Sequence, residues 1–229
     1  MSPRPCEHCG DEQWVEVVAD GTPRLRRCQC FEERIKRNRQ ERINAVVPHK
    51  FRDVALARNP IARLPKSQQD KLRSYYNRLG GNLDAGRGLW LDGESGTGKS
   101  AAAALLAKRA SDLGRSVLFC EVPELLNTLR RTYADETFID DDALYRTVAE
   151  VDLLVLDDLG APRVNDWVLE QLFIFINARY KSERAVVVTT DLPPDNLARQ
   201  IGSRTVRRLR ELCGTPLTLT FGEADTEAA

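Results

Sequence analysis

Short apolar runs alternate with helical patterns along most of this chain of 229 residues. Strand-like runs lie at 88–93, 116–122, 151–160 and 185–191, and residues with helical periodicity follow each of them. A last strand-like run lies at 216–221. The third run is apolar on both faces, which is typical of a central parallel strand. This alternation predicts an α/β fold with a doubly wound parallel sheet.

The first 87 residues follow a different pattern. Two strand-like runs surround Asp20-Gly21, a typical hairpin turn, and a charged helix at 31–47 ends before Pro48. A connector with three prolines, a helix at 67–79 and a glycine-rich loop come next. We therefore expect four parts: a partner-binding head at 1–47, a connector with its helix at 48–87, the sheet domain at 88–221 and an acidic tail at 222–229.

Composition and charge narrow the class of protein. The hydrophobic and charged fractions, 42% and 30%, are those of an ordinary folded protein. No apolar run is long enough for a membrane span, and the start has no secretory signal, so we expect a cytoplasmic protein. Residues 1–78 carry 17 Lys and Arg against 10 Asp and Glu. This basic part could bind nucleic acid or an acidic partner, or it could be a solvated helix.

The sequence GESGTGKS at 93–100 matches the P-loop motif at every fixed position. It follows a strand and opens a helix, which is the context that the motif requires. Lys99 is expected to reach the β- and γ-phosphates of a nucleotide, and Ser100 to bind Mg²⁺. The expected phosphate-binding residues are Gly93, Glu94, Ser95, Gly96, Thr97, Gly98, Lys99, Ser100 and Ala101.

Polar residues end the next two apolar strands of the predicted sheet. Asp157 and Asp158 close LLVLDD, and ligands of such sheets bind at this strand end. We expect Asp157 to hold the ligand shell of Mg²⁺, and Asp158 to orient or deprotonate the attacking water. Thr190 and Asp191 end the following strand and are expected to point toward the γ-phosphate.

Three arginines, Arg204, Arg207 and Arg208, lie at i, i+3 and i+4 on one helix face. Their spacing alone favours a solvated basic face or a contact with an acidic partner. An arginine finger that reaches a neighbouring subunit's γ-phosphate is the alternative.

Four segments together resemble one known family: GLWLDGESGTGKS, LLVLDDLGAPRVNDWVLEQLFIFINARY, VVVTTDLPPDNLARQIGSRTVRRLREL and VPHKFRDVAL. They are similar to the DnaC/DnaI-type helicase loaders and to the related IstB-type transposition helper ATPases, both of the AAA+ class. The resemblance covers about residues 43–221. It implies ATP as the nucleotide and assembly of copies into an open ring or spiral in the ATP state.

The resemblance also implies roles for two of the arginines, and this sequence differs from the family pattern in two places. Gly202-Ser203-Arg204 matches the family's arginine box, so Arg204 becomes the expected finger and Arg208 its second arginine. The family usually has Asn at the position of Asp191, where a carboxylate would repel the γ-phosphate unless it is protonated or metal-bound. No separate lid domain is expected after residue 221.

The resemblance favours a helicase loader that hydrolyses ATP, binds single-stranded DNA and loads or releases a hexameric replicative helicase. The alternative is an IstB-type helper of DNA transposition. A module that binds ATP without hydrolysis is disfavoured by the pair Asp157 and Asp158. A small-molecule kinase is disfavoured because no acceptor-binding signature appears.

Four cysteines lie in the first thirty residues. Cys6 and Cys9 form C-x₂-C, and Cys28 and Cys30 form C-x-C across the predicted hairpin. Two such pairs are typical of a structural zinc site. His8 could replace one thiolate, and free thiols or disulfides are the alternatives to zinc. The remaining two cysteines, at 120 and 213, have core-like neighbours and are expected to be inert.

Overall fold

The computed structural model describes residues 6–10, 12, 14–19, 22–134, 141–160 and 165–221. The chain divides into two compact units, Met1–Ala45 and Val46–Ala229. The predicted tail at 222–229 and the Asp20-Gly21 turn lie outside the described residues. Within the described residues, no helix is long and apolar enough to cross a membrane.

The first unit contains the predicted hairpin. Strands β1 (Trp14–Ala19) and β2 (Thr22–Arg27) pair antiparallel, with Trp14 opposite Arg27. Helix α1 (Gln29–Val46) follows and begins two residues before the predicted start. The Arg27 guanidinium lies 4.9 Å from the Trp14 ring centre and 3.9 Å from that of Phe31. These cation–π contacts link the hairpin to the first turn of the helix.

The second unit is built on a five-stranded sheet. Its strands are β3 (Leu89–Asp92), β4 (Val117–Glu121), β5 (Leu153–Asp157), β6 (Ala185–Thr190) and β7 (Leu217–Thr218). The strand order is β4-β5-β6-β3-β7, and every pairing is parallel. The predicted α/β fold with a doubly wound parallel sheet is therefore confirmed.

Helices cover both faces of this sheet. They are α2 (Lys66–Asn77), α3 (Leu79–Asp84), α4 (Lys99–Asp112), α5 (Val122–Ala134), α6 (Asp141–Glu150), α7 (Asp166–Lys181), α8 (Pro194–Ile201) and α9 (Ser203–Cys213). Alternate strand residues point to opposite faces, which gives two apolar layers. Leu91 and Val155 pack in the layer with α2, α3 and α4. Trp90 and Leu154 pack in the layer with α5, α7, α8 and α9.

Two segments differ from the sequence prediction. The glycine-rich stretch expected to be a loop after residue 79 begins with helix α3, because Leu79 and Leu83 are one turn apart and both buried. Their burial outweighs the poor helix propensity of the two glycines between them. The last strand is also shorter than 216–221, although the Leu219 amide still donates to the Asp92 carbonyl at 2.7 Å.

Candidate nucleotide site and metal site

A cavity of about 450 Å³ opens at the carboxyl ends of β3, β4, β5 and β6. Ligands of open parallel sheets bind at this edge. Residues from the P-loop, from the three strand ends after it and from the connector line the cavity: Lys50, Phe51, Pro60, Ser95, Gly96, Gly98, Lys99, Ser100, Ala101, Glu121, Asp157, Asp158, Thr189 and Asp191. The cavity thus brings together most of the residues that the sequence predicts for a nucleotide site.

Glycines give the loop at 93–98 its shape. Gly93 has a φ of 137°, and a Cβ there would lie 2.1 Å from the Leu219 carbonyl oxygen. Gly98 has a φ of 97° and is the N-cap of α4. Neither position suits a larger residue, because L side chains rarely adopt such backbone angles. The loop therefore leads into the N-terminus of α4, where backbone N–H groups attract phosphate.

The amino group of Lys99 is buried and is held by three oxygens. Its Nζ donates to the carbonyl oxygens of Gly93 at 2.9 Å and Glu94 at 2.7 Å. It also forms an ion pair with Asp191 Oδ1 at 2.7 Å. A buried ammonium group needs such partners, because it has lost its water. Asp191 thus supplies the negative charge that balances Lys99.

The two carboxylates at the end of β5 are linked to the neighbouring strand through Thr189. The Thr189 hydroxyl donates to Asp157 Oδ1 at 2.6 Å and accepts a hydrogen bond from the Asp158 amide at 2.9 Å. The Thr189 carbonyl also accepts from the Leu159 amide at 2.8 Å. Asp158 has a φ of 61°, which is unusual for a residue with a side chain. Thr189 therefore holds this strained turn and its first carboxylate together.

The environment of Asp158 raises the pKa of its carboxyl group. Partial burial is the largest cause, and the negative charges of Asp191 and Asp157 add to it, while Lys99 opposes them. A carboxyl group with a raised pKa is better able to accept a proton at neutral pH. This is the property that a general base needs.

Strand β6 places its two threonines on opposite sides. Thr189 lines the cavity. Thr190, which the sequence predicts to point toward the γ-phosphate, is not among the residues that line the cavity, and its hydroxyl accepts from the Leu192 amide at 3.1 Å. Side chains alternate along a strand, so only one of two successive threonines can face the cavity. Asp191 is on the cavity side, as expected.

Besides Thr189, sequence reasoning missed four residues that line the cavity. Glu121 ends β4 and lies opposite Asp157 in the sheet register. The rule that strand ends bind ligands could have found it. Lys50, Phe51 and Pro60 come from the connector, and the Lys50 amino group lies 4.7 Å from the Phe51 ring centre. Nothing in the connector sequence indicated that it borders the P-loop.

The predicted arginines do not line the cavity of their own chain. Arg204 is exposed at the start of α9, and its guanidinium lies 4.3 Å from the Phe173 ring centre. Arg208 lies 3.8 Å from the Tyr180 ring centre and forms an ion pair with Glu211 at 2.7 Å. Arg208 is therefore engaged within the chain, and Arg204 is on the surface.

The first unit brings its four cysteines together. The sulfurs of Cys6, Cys9, Cys28 and Cys30 all lie within 4.8 Å of one another. A tetrahedral zinc with Zn–S distances of about 2.3 Å requires sulfurs about 3.8 Å apart. The Cys6–Cys28 separation is 3.8 Å and the Cys9–Cys30 separation is 3.3 Å, so the group fits zinc and contains no disulfide.

Two further observations define this site. The group contains four thiols and no imidazole, and His8 is exposed. Backbone hydrogen bonds from His8 and Cys9 lower the pKa of the Cys6 thiol to about 7. Thiolate is the form that binds zinc. Four thiolates leave no open position on the metal, which is typical of a structural site.

The fold and the cavity define a class of protein, an AAA+ ATP-binding protein with a P-loop. The sequence profile of the family described as "IstB-like ATP binding protein" matches residues 82–207. The chain belongs to this family, which is related to the DnaC and DnaI helicase loaders.

Three known proteins show what this chain is similar to. The insertion sequence ATP-binding protein y4pL of Sinorhizobium fredii is 33% identical over 61% of this chain, and the match spans 56% of the relative. The phage-like element PBSX protein XkdC of Bacillus subtilis is 26% identical over 96% of this chain and 83% of its own length. A crystal structure of the DnaC helicase loader has a TM-score of 0.64 at 23% identity, covering 76% of this chain and all of that one. The structural match shows a shared fold.

The cysteine group predicts a measurable metal content. Purified protein should contain about one equivalent of zinc, because four thiolates satisfy one tetrahedral ion. Cys28→Ser should lose most of it, whereas Cys120→Ser, which changes a thiol outside the group, should retain it. Elemental analysis of protein purified without chelator measures this. Less than half an equivalent in the unaltered protein would contradict the assignment.

Thr189 predicts a difference between two otherwise similar variants. Thr189→Val keeps the shape but removes both hydrogen bonds to the Asp157–Asp158 turn, so ATP turnover should fall about tenfold. Thr190→Val removes only the bond from Leu192 and should change turnover less than about twofold. Steady-state ATP hydrolysis by both variants is the measurement. Equal turnover in Thr189→Val and the unaltered protein would show that Thr189 positions nothing of catalytic importance.

Proposed function

We propose that this chain hydrolyses ATP at the cavity. The observation that carries the proposal is the convergence of Lys99, Asp157 and Asp158 on one opening beside the N-terminus of α4. Lys99 binds the β- and γ-phosphates, and the loop amides hold the β-phosphate. Asp158, with its raised pKa, orients the attacking water and accepts its proton.

Mg²⁺ fits the oxygen donors at this site. Ser100 and Asp157 both line the cavity, and their hydroxyl and carboxylate oxygens are the ligands that Mg²⁺ prefers. Asp157 accepts a hydrogen bond from Thr189, which holds one of its oxygens in a fixed direction. When bound, the metal neutralises the charge that develops on the phosphates.

We infer further that each site is completed by a second copy of the chain. Arg204 is exposed and lies outside the cavity of its own chain, so its guanidinium is available to a neighbour. An arginine supplied in trans stabilises the transition state of phosphoryl transfer. Arg208, paired with Glu211, supports the geometry of the same helix. Copies therefore assemble in the ATP state.

The biological role that these features support best is loading or release of a hexameric replicative helicase. The fold matches that of the DnaC helicase loader, and the similarity to the phage-like element protein XkdC spans 96% of this chain. The zinc-binding unit binds the helicase. The ATPase unit assembles on single-stranded DNA through contacts with the DNA phosphates. These events take place in the cytoplasm.

A second role is supported by one specific observation. The insertion sequence protein y4pL is 33% identical, a higher identity than that of XkdC over a shorter stretch. A transposition helper would use the same ATPase unit to mark target DNA for a transposase. The two roles differ in the protein partner, so partner binding distinguishes them.

Mass measurement of the chain mixed with its cognate replicative helicase tests the first role. With ATP present, native mass spectrometry should show a complex of the helicase hexamer with several copies of the chain. If the zinc-binding unit binds the helicase, Cys28→Ser should abolish the complex and Cys120→Ser should preserve it. Absence of any complex, with and without nucleotide, would contradict the loader role; a complex with a transposase instead would favour the second.

A further inference from the structure

The side chain of Asp191 occupies a place in the cavity that the proposed mechanism does not use. Its carboxylate lies 2.7 Å from the Lys99 amino group, and the two residues are 92 positions apart in the chain. The Lys99 side chain is 7% exposed and that of Asp191 is 51% exposed. The pair therefore joins a buried cation to an anion that is half in water.

The single positive charge of Lys99 cannot balance Asp191 and a triphosphate at the same time. Two of its three hydrogen bonds go to the carbonyls of Gly93 and Glu94, which are neutral. The third partner, Asp191, is the anion that the terminal phosphate must replace. The replacement is feasible because Asp191 already has access to water, whereas Lys99 stays buried and must keep an anionic partner.

The charges around Asp191 increase the cost of this exchange. Asp157, Asp158 and Glu121 line the same cavity. Of the two lysines that line it in the described part of the chain, Lys50 is exposed. When a terminal phosphate binds Lys99, the carboxylate of Asp191 loses its counter-ion and lies near another anion. Like charges at such distances repel each other, and this lowers affinity.

We propose that Asp191 competes with the terminal phosphate for Lys99 and thereby reduces the preference of the site for ATP over ADP. This inference rests on the proposed ATP site and adds a specificity-determining residue to it. The β-phosphate is held chiefly by the loop amides, whereas the γ-phosphate depends on the lysine and the metal. Asp191 therefore opposes the triphosphate more strongly than the diphosphate.

Two variants and one control test this proposal. Asp191→Asn keeps the shape of the side chain, and Asp191→Ala removes its polar atoms; both remove the competing charge. Asp195→Asn is the matched control, because Asp195 is 91% exposed, lies four residues away and does not line the cavity. Calorimetric titration with a non-hydrolysable ATP analogue and with ADP, in the presence of Mg²⁺, gives the dissociation constants.

Both Asp191 variants should bind the ATP analogue about fivefold to tenfold more tightly and change ADP binding less than about twofold. The control should match the unaltered protein. Tighter binding by Asp191→Asn alone would overturn the proposal, because the gain would then come from a new amide contact. Weaker binding by both variants would also overturn it, since Asp191 would then assist the metal. If the unaltered protein binds neither nucleotide, the proposed ATPase function itself is wrong.

Discussion

The candidate site depends on one constraint, the buried positive charge of Lys99. The parallel sheet brings the ends of β3, β5 and β6 to one edge, and the P-loop turns the lysine into that edge. A buried ammonium group must be balanced, and here two loop carbonyls and Asp191 balance it. The loop glycines let the two carbonyls reach Lys99. The strand order brings Asp191 close to the same amino group.

The same constraint bears on the charges that the proposed hydrolysis requires. Among the residues that the structure describes, four carboxylates line the cavity against one buried and one exposed lysine. A triphosphate adds more negative charge, so the proposed hydrolysis needs Mg²⁺ and a further cation to stabilise its transition state. Arg204 lies on the surface of α9, outside its own cavity, where it can supply that cation to a second copy. In the proposed mechanism, catalysis therefore depends on assembly.

Local sequence predicted the parts of the site that are contiguous in the chain. The P-loop and the Asp157–Asp158 turn are short motifs whose geometry depends on adjacent residues, and both lie where expected. Lys99 and Asp191 were both expected near the γ-phosphate, but their direct ion pair was not predicted, because it joins distant segments through the strand order. Whether Thr189 or Thr190 faces the cavity depends on which side of β6 borders it. The local sequence Thr189-Thr190-Asp191 does not reveal this. Helix α3 forms because two leucines are buried, which is a tertiary effect.

ATP hydrolysis by mixed variants tests the central claim, that each active site is shared between two copies. Arg204→Ala and Asp158→Asn should each be nearly inactive alone, because one lacks the finger and the other lacks the base. Mixed in equal amounts, they should recover about a quarter of the unaltered activity, since an intact site forms only where an Asp158→Asn copy donates Arg204 to an Arg204→Ala neighbour. A mixture no more active than its separate components, with an active unaltered protein, would contradict the account.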